Sequence, residues 1–119
     1  MQRDLTDASL ELLSPDRRFA TAYNAVLQTA KMGIAAAGYR VIGPGHHQTT
    51  FQALELAMGG EIRPLTHYFD TCRRKRNIVD YDDSEVASET EADELLRYAQ
   101  GFHERVERWI AEHHPGLGR

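Results

Sequence analysis

The chain has 119 residues, 41% hydrophobic and 27% charged, with 9 Gly, 4 Pro, 1 Cys and 1 Trp, which is the make-up of one folded domain and not of a disordered tail or a collagen-like repeat. Its formal net charge of -4 argues against a general binder of phosphate backbones, because such proteins carry a basic face. No apolar run reaches the length of about 18 residues that a membrane span requires, and the lone Cys72 supplies neither an internal disulfide nor a zinc site.

Met1-Gln2-Arg3-Asp4 leads into no apolar segment of the secretory type. The expectation is a single domain over residues 1-119, in a reducing cytoplasm and away from membranes. Along the chain, helical periodicity dominates and no stretch alternates as a strand would. Asp7 to Leu13 carries Leu10 and Leu13 on one side and suits a short extra N-terminal helix. Ser14-Pro15-Asp16 then supplies an N-cap, a proline for the first helical position and an early acid. Phe19, Tyr23, Val26, Ala30, Ile34 and Ala37 recur at helical spacing until Gly38.

Gly38 to Gly45 reads as a loop, with Gly43-Pro44-Gly45 at its end. A second helix is predicted from about His47 to Met58, where His47, Phe51, Leu54 and Met58 share a face and Gly59-Gly60 stops the run. A third is predicted from about Arg63 to Val79, with Ile62, Leu65, Phe69, Cys72 and Val79 as its apolar stripe. An acidic turn follows. Ser88-Glu89-Thr90-Glu91 has the form of a capping box, and the last helix carries Ala92, Leu95, Leu96, Ala99, Phe102, Val106, Trp109 and Ile110 before His113-His114-Pro115-Gly116. Four amphipathic helices on short loops make an all-α, antiparallel four-helix bundle, with the two long helices flanking the two shorter ones.

Charge is unevenly placed. Arg73, Arg74, Lys75 and Arg76 crowd one stretch, and Asp80, Asp82, Asp83, Glu85, Glu89, Glu91, Asp93 and Glu94 follow. The plain reading is a solvated charged turn. Arg76 is harder to dismiss, because on a helical wheel it falls inside the apolar arc of about 100° formed by the third helix. An unpaired guanidinium in a core would cost several kcal/mol. Asp80 one turn later, or a neighbouring helix, could answer it inside the chain. Alternatively this part of the helix faces a cleft or a second subunit, or the helix already ends at Cys72.

The stretch Cys72-Arg73-Arg74-Lys75-Arg76-Asn77-Ile78-Val79-Asp80-Tyr81-Asp82 resembles the signature segment of HEPN domains, small all-helical proteins with an Arg-Asn pair late in the third helix. Gly45-His46-His47-Gln48-Thr49-Thr50-Phe51-Gln52-Ala53-Leu54 is similar to the start of their second helix, and the likeness in helix order runs from about Phe19 to Ile110. The resemblance implies a HEPN-like bundle, a homodimer, and a role in toxin–antitoxin or nucleotidyltransferase-linked systems, with RNA or a companion protein as partner. Active members pair an arginine with a histidine after about four to six intervening residues, and histidine is the usual general base. The corresponding windows after Arg73, Arg74 and Arg76 contain only Ile78, Val79, Asp80, Tyr81, Asp82 and Asp83. Tyrosine, with an ordinary pKa of about 10, is a poor base at neutral pH. The resemblance therefore carries the fold and the dimer habit further than the nuclease chemistry.

The binding residues expected from these readings are Arg73, Arg76, Asn77, Asp80, Tyr81, His46 and His47. Were the chain an endoribonuclease, Arg76 would stabilise the phosphorane charge, and Asn77 or Tyr81, or a histidine such as His46 or His47 from another helix, would move the proton. A third reading is a purely structural helical interaction protein in which the arginines set register. No cofactor and no metal are expected. No Glu is followed three residues later by His, the spacing by which helical bundles aim two ligand types at one metal, so the six histidines read as surface or cap residues. Gly43-Pro44-Gly45 lacks the lysine and spacing of a phosphate loop, and no Gly-x-Ser-x-Gly elbow occurs. Cys72, on the apolar stripe, reads as a buried inert thiol, and Tyr23, Tyr68, Tyr81 and Tyr98 read as the rim of the core.

Overall fold

A computed structural model describes residues 14–39, 47–81 and 87–114, with side chains described throughout except at 78–81. The suggested helix at Asp7 to Leu13, the loop around Gly43-Pro44-Gly45 and His46 lie outside the described residues. Four α-helices and one short 3-10 turn account for the described secondary structure. They are α1 (Pro15–Ala36), α2 (His47–Met58), the turn Gly60–Ile62, α3 (Arg63–Tyr81) and α4 (Glu89–His113).

Local chemistry sets the helix ends. The Ser14 side chain accepts from the Arg17 N–H at 3.2 Å, and Pro15 opens α1 at no cost in hydrogen bonds. Gly38, at φ 90°, closes it by turning the chain so that the Tyr39 N–H reaches the Ile34 carbonyl at 2.9 Å. Gly59, at φ 97°, does the same after α2, and the 3-10 turn leads directly into α3. The capping box of α4 is complete: Ser88 Oγ accepts from the Glu91 N–H at 3.1 Å, and Glu91 Oε1 accepts from the Ser88 N–H at 3.0 Å. The helix does not end at Cys72, since α3 continues to Tyr81 and carries the whole basic stretch.

The core is one cluster with contributions from every helix, among them Phe19, Tyr23, Val26, Ile34, Phe51, Leu54, Phe69, Leu95, Phe102 and Val106. Aromatic rings run through it in sequence, from Tyr23 to Phe51 (6.4 Å between centroids), Phe51 to Phe69 (6.2 Å) and Phe69 to Phe102 (4.9 Å), so all four helices share a single hydrophobic contact line. Helix α1 is the central element. It lies along α4 for most of its length and also meets α2 and α3, an arrangement tighter than two long helices standing on either side of two shorter ones. Gly33 permits the approach, because a Cβ there would lie 2.7 Å from Leu54 and 3.3 Å from Val106. A buried arginine, Arg18, clasps α1 to α4 through Asp93, and Asp16 accepts from the Ala87 N–H at 2.7 Å to tie the approach to α4 onto the start of α1.

Candidate anion-binding site

The basic stretch of α3 lies against the faces of α1 and α2. On α1, Tyr23 is fully buried by its place on the apolar stripe, and Asn24 follows it at the edge of the core. On α2, His47 is the first helical residue, and its ring stacks on Tyr23 with centroids 5.6 Å apart at 23°. The Tyr23 hydroxyl lies 2.9 Å from His47 Nδ1. From α3, Arg76 Nη2 donates to Asn24 Oδ1 at 3.2 Å, and Arg76 Nε is buried. A neighbouring helix thus supplies one partner of this guanidinium, an uncharged amide. Arg73 Nε donates to Asp70 Oδ1 at 2.9 Å, and Arg74 reaches the other oxygen of Asp70 at 3.6 Å.

Burial and the neighbouring charges bear on the protonation of the pair. Burial holds the Tyr23 hydroxyl above its ordinary pKa, against the pull of Arg73 and Arg76, so it stays a phenol. A fully buried phenol needs an acceptor for its proton, and among the described residues His47 Nδ1 is the one in reach. His47 is shifted below its usual value, first by burial and then by Arg76, Arg73 and Lys31. It is therefore neutral at pH 7. A neutral imidazole that accepts at Nδ1 carries its hydrogen on Nε2, and the half-buried ring has Nε2–H to offer as a donor. The cluster thus gathers two guanidinium groups, one of them engaged by Asp70, and one neutral N–H donor, which suits a bound oxyanion.

Of the residues expected from the sequence, Arg73, Arg76 and His47 come together here, and Asn77 follows Arg76 at half-buried exposure. Asp80 and Tyr81 fall within α3, but their side chains are outside the described residues, as is His46 entirely. Tyr23 and Asn24 complete the site and were not singled out for it in the sequence. Their signal was weak: a tyrosine at a core position followed by an amide on the flank of the stripe.

The remaining candidates separate. His67 is exposed and 4.0 Å from Glu55, and His113 lies 3.0 Å from the Trp109 carbonyl at the end of α4. His103 corrects the reading of the histidines as surface or cap residues. It is buried between α1 and α4, with Nδ1 3.3 Å from Thr29 Oγ1 and Nε2 2.7 Å from Glu107. Its wheel position, one residue from the apolar stripe of α4, explains the burial. Tyr98 is exposed and Tyr68 half-buried. Cys72 is buried and its thiol is pushed up to about 11, chiefly by burial. Among the described residues, no group of three or more His, Cys, Asp or Glu side chains is placed to hold a metal ion, and no helix is long and apolar enough to cross a membrane.

The sequence model of the HEPN domain matches residues 2–109, almost the whole chain. The chain belongs to the HEPN family. Among curated proteins and among solved structures no match was found. The all-helical bundle is the fold expected of a HEPN domain, and the Arg76-Asn77 pair sits in its third helix.

Proposed function

We propose that this HEPN domain binds RNA through a phosphate group at the junction of α1, α2 and α3, and that it does so without cleaving the strand. The observation that carries the reading is the hydrogen bond between the Tyr23 hydroxyl and His47 Nδ1, set beside Arg73 and Arg76. Cleavage without a metal requires an acceptor for the 2′-hydroxyl proton, with a pKa near 7 and a free lone pair. Tyr23 is a buried phenol, and His47 presents N–H where a base would need a bare nitrogen. The arginines remain useful as phosphate ligands. With a net charge of -4, binding is local to this cluster and not spread over a basic surface. The protein works as a homodimer of single-domain chains in the cytoplasm, beside a companion of the toxin–antitoxin or nucleotidyltransferase-linked kind. HEPN membership is the support for that part of the reading.

One observation favours a second reading, a metal-independent endoribonuclease: His47 is neutral at pH 7 and adjacent to two arginines. It would need the opposite tautomer. The test is titration of a labelled single-stranded RNA by fluorescence anisotropy with wild type, Arg76→Ala and His47→Ala. Binding that weakens roughly tenfold or more in Arg76→Ala, and severalfold in His47→Ala, supports the phosphate site. Binding unchanged in both variants would leave the Arg76–Asn24 bond as a register contact in a structural protein and refute the proposal.

A further inference from the structure

A groove of about 370 Å³ runs between α2 and α3, and two of its lining residues join it to the anion-binding cluster. Gln48 follows His47 in the chain, and Asp70 is the acceptor for Arg73 Nε at 2.9 Å. That volume is at the small end of ligand pockets, which span about 300–1,000 Å³, so it suits one ring system. Its charge is wrong for a second phosphate. Glu55 and Asp70 both line it, and the arginine that lines it, Arg74, is 3.6 Å from Asp70.

What the groove offers instead is acceptors. Glu55 is half-buried, and its Oε1 accepts from the Thr66 hydroxyl at 2.6 Å and lies 4.0 Å from Arg63 Nε and from His67 Nε2. Among the described residues no donor reaches its Oε2. Asp70 differs, because Arg73 holds one of its oxygens and Arg74 lies near the other. Glu55 Oε2 is therefore the open carboxylate oxygen of the groove. Gln48 and Gln52, four residues apart on one face of α2, bring two side-chain amides with no partner among the described residues. The Thr71 hydroxyl donates to the His67 carbonyl at 3.2 Å, which leaves its oxygen to accept. On α3 the exposed His67 ring and Arg74 guanidinium stand two turns apart, flat groups of the kind on which an unstacked base lies.

We infer that this groove takes the base of the RNA unit whose phosphate is held by Arg73 and Arg76, and that it selects a base with an exocyclic amino group, adenine, cytosine or guanine, over uracil. The inference rests on the RNA reading above and names which strands that site prefers. An amino group brings an N–H to Glu55 Oε2, and the amide of Gln48 or Gln52 matches the mixed donor and acceptor edge beside it. Uracil has a carbonyl on each side of its single ring N–H. It therefore turns lone pairs toward a carboxylate oxygen that needs a donor.

Fluorescence anisotropy with labelled RNA homopolymers of equal length, oligo(A), oligo(C) and oligo(U), tests the inference. Wild type is expected to bind oligo(A) and oligo(C) roughly fivefold or more tightly than oligo(U), and Arg76→Ala should weaken all three alike. Glu55→Gln keeps the shape and can still accept from Thr66, but puts an NH2 where the open oxygen was, so the difference between strands should shrink to under about twofold. Gln52→Ala lies on the exposed face of α2, where circular dichroism should find the fold intact, and it should weaken oligo(A) and oligo(C) more than oligo(U). Equal affinity for the three strands, still dependent on Arg76, would overturn the base groove and leave the phosphate reading standing. A preference that neither variant alters would do the same. Binding of none of the three would overturn both readings.

Discussion

Tyr23→Phe isolates the contact on which the chemistry of the site depends. The substitution deletes one oxygen and keeps the ring, which is fully buried, stacked on His47 and edge-on to Phe51. The packing contribution, which would amount to about 3–5 kcal/mol for removal of an entire buried aromatic ring, is therefore retained. What is lost is one neutral hydrogen bond, worth about 1 kcal/mol, and water can replace it because His47 is only half-buried. For a domain of this size about 1 kcal/mol corresponds to a fall in Tm of about 4 °C. The chemical consequence is larger than the energetic one. Without the phenol, His47 is free to exchange tautomers, and its Nε2 becomes available as an acceptor for part of the time. Long-range proton–nitrogen NMR of wild type at neutral pH should find His47 protonated on Nε2 and bare on Nδ1, with a mixture in Tyr23→Phe. A wild-type spectrum with the proton on Nδ1 would refute the reasoning and turn His47 into a candidate base.

Three further outcomes follow from the packing and the titrating groups. His47 binds its proton less tightly in the folded chain than in the unfolded one, so its contribution is present above the ordinary histidine value of about 6.5 and is lost as pH falls below it. Thermal melts should accordingly lose more Tm between about pH 7.5 and 5.5 in wild type than in His47→Gln, and equal losses would contradict the placement of His47. Gly33→Val should destabilise the fold by about 2 kcal/mol, because overpacking against Leu54 and Val106 exceeds any gain in helix propensity; chemical denaturation would measure it, and an unchanged midpoint would mean that α1 does not approach so closely. Cys72, buried with its thiol at about 11, should resist a thiol reagent at pH 8 until denaturant is added. Rapid labelling of the native protein would place it on the surface.

Helix positions were legible because short-range chemistry decides them. Ser14-Pro15, the Ser88 capping box, Gly38 and Gly59 each act within one turn of chain, and each ends or begins a helix where the sequence indicates. Apolar periodicity likewise marked Phe51, Leu54, Phe69 and Cys72 as core. The site was only half legible. Arg76 stood out as a charge on an apolar arc, but Asn24, which accepts from it, lies 52 positions earlier, and nothing local to either residue encodes which helices become neighbours. Tyr23 was counted with the core, as burial alone dictates; that its hydroxyl would set the tautomer of His47 depends on the angle at which α2 packs on α1. His103 escaped for a related reason. It lies at the border of its helix stripe, where the close pairing of α1 with α4 tips it inward onto Thr29.

The central claim is binding without scission, and one measurement addresses both halves at once. A 5′-labelled single-stranded RNA is incubated with the wild-type protein in chelator at neutral pH, and each sample is divided between a native gel, which reads binding, and a denaturing gel, which reads strand integrity. The account predicts a retarded complex that is weakened in Arg76→Ala, with RNA of full length throughout. Shortened RNA produced by the wild type and absent with Arg76→Ala would contradict it.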